Sequence, residues 1–205
     1  MHRYLARRHA ILAVALVLLA GCVQLPRGTG LGQPASAPRP VDRRAWLARA
    51  EILDPAVEDR STLEDSLTVN LTSYTRQAGL FRQVETLPGT LGVDDLVLRF
   101  RFDRYEQRRS PHPAYFPAAF LTATLYIWLG GPVFNDSSDL AGRLAVEDRE
   151  TTTLADVAAT VEERHSVSFW APDYWIPSGV EARTRLVHDL LDKAAAELRR
   201  RENPS

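Results

Sequence analysis

Few residues of this 205-residue chain have a setting that points to chemistry. The foremost is Cys22, the single cysteine, directly after Leu18-Leu19-Ala20-Gly21. A thiol there can stay free, pair with a second chain in a disulfide, carry a covalent modification, or be an accidental residue at the end of a membrane anchor. The other candidates are weaker. His112, His165 and His188 are far apart and lack ligand spacing, so no metal is expected. Asn135-Asp136-Ser137-Ser138-Asp139 lacks the central Gly and distal Glu of a calcium loop and reads as a polar turn. The adjacent pairs Asp94-Asp95 and Glu162-Glu163 face opposite ways on a strand and cannot form a carboxylate dyad. There is no Gly-x-Ser-x-Gly, no Walker-type Gly-Lys-Ser/Thr and no His-Glu-x-x-His. No catalytic residue and no cofactor is therefore expected, and the chain reads as a non-enzyme.

The residues around Cys22 sharpen its role. Arg3, Arg7 and Arg8 precede an uncharged run from Ala10 to Ala20. A basic segment, a short apolar run and small residues before a cut define a secretory signal, expected over 1–21. The run falls short of the roughly 20 apolar residues needed to span a bilayer. With cysteine next after Leu-Ala-Gly, the stretch resembles the lipobox of bacterial lipoproteins. That resemblance implies cleavage before Cys22, diacylglycerol on its sulfur and a fatty acyl chain on its amine (palmitate is the usual case). It also implies sorting to the periplasmic face of the outer membrane, because Val23 stands where an inner-membrane-retained lipoprotein carries Asp. The covalent lipid on Cys22 is then the membrane anchor.

Without residues 1–21 the chain loses three Arg and no acid, leaving 22 basic against 26 acidic residues. That balance gives no reason to expect nucleic acid as a partner. With no cysteine beyond the anchor, stability has to come from an apolar core. Residues 22–41 are rich in Pro and Gly and poor in apolar side chains, which predicts a flexible tether with an end-to-end distance of roughly 20–25 Å.

A single globular domain is expected over 42–200. Residues 45–53 suit either a strand or a helix. Ser61-Thr62-Leu63-Glu64 has the form of a capping box. It would open a helix with Leu63, Leu67, Leu71, Tyr74 and Ala78 on one face and Gly79 closing it. A strand pair should follow. Val93 to Tyr105 alternates, with Leu96, Leu98, Phe100 and Phe102 inward and Val97, Arg99, Arg101 and Asp103 toward water. Leu140 to Asp148 and 152–169 read as a hairpin, although a helix also fits the second segment. Ser178 and Glu181 suggest a second capping box. Val180, Val187, Leu190, Leu191, Ala194 and Leu198 form the stripe of a last helix, and Arg199, Arg200 and Arg201 complement its dipole. The expected fold is α+β, a two-layer sandwich of a mainly antiparallel sheet with two helices on one face.

Between Arg109 and Asp136 no acidic, Arg or Lys residue occurs, and 118–129 is continuously apolar. Twelve residues as a helix reach roughly 18 Å, short of the ~30 Å hydrocarbon core. Burial beneath or within the sheet is the first expectation. Dipping into a membrane and docking a partner through an apolar patch are the others. A second aromatic concentration is Phe169-Trp170-Ala171-Pro172-Asp173-Tyr174-Trp175. Phe120, Tyr126, Trp128, Trp170, Tyr174 and Trp175 are the candidate partner or membrane contacts.

The helix ending at Gly79-Leu80-Phe81-Arg82-Gln83-Val84, followed by Asp94-Asp95-Leu96-Val97-Leu98-Arg99-Phe100, resembles small envelope lipoproteins. It looks most like the auxiliary lipoproteins of ABC-type intermembrane lipid transport systems. The small α+β domains of the Tol and curli-secretion lipoproteins are also similar. The resemblance covers about 40 residues and implies a lipid-anchored adaptor or auxiliary component of an envelope complex, with an unidentified envelope protein as partner. The alternative is a carrier of a lipid or other hydrophobic ligand. The chain departs from the auxiliary family at Tyr115 to Phe134 and in the long loop before the last helix.

Overall fold

The computed structural model describes residues 23–24, 28–34, 40–122, 125–171, 174 and 179–202. In chain order the strands and helices are β1 (Val23–Gln24), β2 (Val41–Leu47), β3 (Glu51–Ile52), α1 (Arg60–Ala78), β4 (Phe81–Thr86) and β5 (Leu96–Pro111). There follow α2 (Tyr115–Leu121), α3 (Leu125–Trp128), β6 (Pro132–Glu147), β7 (Thr153–Ser168) and α4 (Val180–Glu202). The sheet order is β4-β2-β5-β6-β7, with β1 and β3 also paired to β5.

The sheet is mixed, which corrects the expectation of a mainly antiparallel one. β2 runs parallel to both β4 and β5, and β3 is parallel to β5. The cause is the crossover: a strand, a helix and a second strand return the chain in its original direction. Here β2, α1 and β4 do so. The expected strand pair after the helix is also corrected, since β4 and β5 lie on either side of β2. The remaining pairings reverse direction. Arg99 meets Glu147, Asp103 meets Arg143 and Arg104 meets Asp139, so β6 descends as β5 ascends. Asp148 N–H donates to Thr152 O at 3.0 Å and closes the β6–β7 hairpin. Asp148 Oδ1 accepts the amides of Glu150 and Thr152 in the same turn.

In α1, Leu67, Leu71, Tyr74 and Ala78 are buried, as their spacing predicts. Three threonines share the buried side. Thr68 Oγ1 donates to Glu64 O and accepts the Ala50 amide, while Thr72 Oγ1 donates to Thr68 O. Such bonding to a carbonyl one turn back lets threonine sit inside a helix. Gly79 closes α1 at φ 65°, its amide donating to Arg76 O. The capping box at Ser61 and Glu64 does not form. The cap position is Asp59, without a side-chain cap bond, and Glu64 Oε1 instead accepts the amide of Ile52. Four helices are described rather than two, because the apolar insert supplies α2 and α3.

The chain divides into two compact units. The larger comprises 26–107, 138–163 and 178–205. Its core draws on Ala45 and Leu47 of β2, Leu96 to Phe102 of β5, Leu140 and Leu144 of β6, and Ala155 and Val161 of β7. Leu67 and Leu71 of α1, with Leu186, Leu190 and Ala194 of α4, complete it. Val97, expected to face water, is buried with Trp46 on the opposite side of the strands. Trp46 Nε1 donates to Asp95 Oδ2 at 2.7 Å, and its ring lies against Gly89 so closely that any side chain there would collide with it. Burial pushes the Asp95 carboxyl up, but the Gly92 amide and the Trp46 ring N–H, with Arg44 and Arg82, outweigh this and hold it below the usual carboxylate range.

Part of the expected tether is packed. Tyr105 OH donates to Gly28 O at 2.7 Å, Arg183 Nε to Gly30 O at 2.9 Å, and Asn70 Nδ2 to Thr29. Gly32 N–H donates to Thr184 Oγ1 at 2.7 Å, and Leu31 packs on the core. Residues 28–34 therefore form a strap on α1 and α4, not a free spacer. Small residues permit it, since Gly28 and Gly32 each abut an α4 side chain where a Cβ would be tight.

Candidate functional site

The smaller unit comprises 1–25, 108–137 and 164–177. It gathers the described aromatic candidates. α2 and α3 present Phe120, Leu121, Leu125 and Trp128, followed by Leu129. With Trp170 these side chains are between 55% and 87% exposed. Burial of the insert, the first expectation, does not hold. The run folds as two short helices, of seven and four residues, bounded by Pro117 and by Gly130-Gly131, with Gly130 at φ 81°. Gly131 lies beneath the Tyr126 ring, whose hydroxyl donates to Pro132 O at 3.2 Å. Trp175 and Cys22 lie outside the described residues.

Aromatic contacts run inward from this surface. The Trp128 and Trp170 rings are 5.4 Å apart, and Trp170 Nε1 donates to Ile127 O. Phe169 packs edge-on to Trp170 at 5.1 Å and to Tyr174 at 4.8 Å. Tyr174 lies 5.6 Å from Phe134, and Arg109 stands over the Phe134 ring at 5.0 Å. The series ends at a buried ion pair. Arg109 Nε and Nη2 donate to Asp136 Oδ1 and Oδ2 at 2.6 and 2.7 Å, and both side chains are about nine-tenths buried.

The sequence reading missed Arg109, Asp136 and Phe134 as members of one cluster. The signal was present, because Arg109 and Asp136 are the charges that bracket the uncharged interval. Placing Asp136 in a polar turn hid it; the residue lies within β6.

Beside the ion pair is a polar cavity of about 380 Å³, lined in part by Asn135, Arg164, His165 and Ser166. His165 Nε2 is 3.9 Å from Asp136 Oδ2. Arg109 bonds both Asp136 oxygens, which makes this carboxylate the counter-ion of the guanidinium. The Ser166 hydroxyl donates to Asn135 Oδ1 at 2.9 Å. Among the described residues no group of three His, Cys, Asp or Glu is placed to hold a metal.

The larger unit carries a second cavity, of about 490 Å³, between the strap and the helices. Gly32, Tyr74, Val180, Thr184 and His188 contribute to it. Burial raises the Tyr74 hydroxyl pKa, and Asp192 adds to the shift. Among the described residues no helix is long and apolar enough to cross a membrane.

No family model matches the chain, and no curated protein matches it. Among solved structures, a Xanthomonas campestris protein of family DUF330 superposes with a TM-score of 0.52 at 10% identity, covering 84% of this chain and 95% of that one. The two chains share a fold. At that identity the likeness extends to fold alone. A neuraminyllactose-binding hemagglutinin homolog from Helicobacter pylori gives 0.39 at 11% identity, covering 83% of this chain and 93% of that one. A minor lipoprotein from Acinetobacter baumannii gives 0.35 at 16%, covering 80% and 96%. Those two values do not establish a common fold.

Proposed function

We propose that this chain is a lipoprotein of the bacterial envelope, acylated at Cys22 and held on the periplasmic face of the outer membrane. It acts there as a non-enzymatic adaptor or auxiliary component of an envelope complex, and assistance to lipid transport is the most concrete form of that role. The observation that carries the reading is the order of Arg3 to Arg8, the apolar run and Leu18-Leu19-Ala20-Gly21-Cys22. The core that α1 and α4 share with the mixed sheet gives such a protein a folded body, and the exposed aromatic surface gives it something to present.

A carrier of a lipid or other hydrophobic ligand is the second reading. The 490 Å³ cavity between the strap and the helices favours it, being within the usual range of small-molecule sites. Cross-linking in native envelopes separates the two. An adaptor gives a defined protein adduct from photo-reactive residues placed at exposed positions of the larger unit, whereas a carrier gives lipid adducts from positions beside Val180. No protein adduct from any of those positions, together with lipid adducts at the cavity, would replace the adaptor with the carrier.

A further inference from the structure

The aromatic surface of the smaller unit has an occupant that its own chain indicates. Six of the nine large apolar side chains exposed among the described residues are Phe120, Leu121, Leu125, Trp128, Leu129 and Trp170. The other three, Leu53, Val69 and Val93, are scattered singly over the larger unit, as on any soluble surface. All of these but Trp170 lie in a stretch with no acidic, Arg or Lys residue from 110 to 135. A protein partner tolerates charge around an apolar centre, but the acyl region of a bilayer does not. Tryptophan is favoured at the boundary between acyl chains and headgroups.

The position of the chain next to the anchor decides the occupant. β1 pairs with β5, Val23 opposite Arg109 and Gln24 opposite Arg108. Cys22 is covalently next to Val23, so its Cα is about 3.8 Å from that of Val23. From Arg109 the chain needs six residues to reach Tyr115 at the start of α2, a path of at most about 20 Å. Val23, the residue next to the anchor, and the apolar surface thus belong to one compact unit. A free tether over 23–40 would have separated them.

We infer that this surface docks on the lipid bilayer, with α2 and α3 lying in the outer part of the leaflet that holds the acyl chains of Cys22. The inference rests on the lipoprotein reading above and adds a second, non-covalent attachment. With seven and four residues, α2 and α3 cannot cross. The apolar face of an interfacial helix settles roughly 5–10 Å into the boundary between headgroups and acyl chains, a depth that these side chains can occupy. Anchor and surface together hold the smaller unit in one orientation, because two attachments to it remove most of its rotational freedom.

The test uses the chain from residue 22 with Cys22→Ser, which has no acyl chain, and vesicles of phosphatidylcholine with and without brominated acyl chains. The expected result is co-sedimentation that survives high salt, with tryptophan emission shifted to the blue and quenched by the brominated lipid. Phe120→Ser with Trp128→Ser should weaken binding by about tenfold or more while leaving the melting temperature unchanged, since both side chains are exposed. Absence of vesicle binding would overturn the inference. Equal binding by the double variant, or a dimer that needs Phe120 and Trp128 and persists with vesicles, would also overturn it. Failure here leaves the acylation of Cys22 standing, because the mass of the amino-terminal peptide of the native protein reads that separately.

Discussion

Arg109 and Asp136 show how a polar pair can organise an apolar neighbourhood. Two bonds of charged partners in parallel fix the guanidinium plane, and that plane meets Phe134. Replacing one partner leaves the other buried without its charge. Arg109→Met should therefore cost about 3–5 kcal/mol in urea unfolding, and Arg109→Met with Asp136→Leu should recover most of that loss. An unchanged unfolding midpoint in the single variant would mean that the pair holds nothing. Tyr105 gives a second test at this scale. Burial pushes its hydroxyl up to about 12, opposed by the Arg183 guanidinium. The folded state thus keeps a proton that the unfolded chain releases near pH 10. Its contribution is complete below pH 10 and lost as the pH rises toward 12. Tyr105→Phe should flatten that alkaline fall and, by losing the bond to Gly28 O, cost about 1 kcal/mol at neutral pH. An alkaline fall as steep in the variant as in the parent would refute the assignment.

At the scale of elements, the strap and the insert separate this chain from a plain α+β body. Residues 28–34 are held by bonds from Tyr105, Arg183 and Asn70 and by one to Thr184. Thr184→Val should speed hydrogen exchange at the Gly32 amide and lower stability by about 1 kcal/mol, and unchanged exchange would contradict the packed strap. The parts legible in the sequence were those with one period and one partner. Leu67 to Ala78 and Val187 to Leu198 each bury one stripe, and Leu96, Leu98, Phe100 and Phe102 bury one face of β5. What escaped depended on distant partners. Glu64 looked like a cap because Ser61 precedes it, yet Ile52 supplies its donor. The stretch from Ala45 to Leu53 was ambiguous because Trp46, Ala48, Ala50 and Ile52 alternate as on a strand while its Ala, Leu and Glu content also suits a helix. Composition suggested that Gly28 to Pro34 would be mobile, and the docking surface made by α4 could not be seen from it.

For the whole molecule, the larger unit supplies stability and the smaller unit supplies surface. The three long strands β5, β6 and β7 pass through both units. The likeness to the Xanthomonas protein concerns the fold, while the proposed function rests on the first 22 residues and the exposed surface. Both proposed attachments bring the membrane to the smaller unit, since Val23 is paired opposite Arg109. The central claim is the covalent anchor. Mass spectrometry of the amino-terminal peptide from native envelopes, parent beside Cys22→Ser, tests it most directly. The predicted result is a parent peptide beginning at Cys22 with the added mass of diacylglycerol and an acyl chain, absent from the variant. An unmodified parent peptide containing Cys22 would contradict the account and leave the aromatic surface as the means of membrane contact.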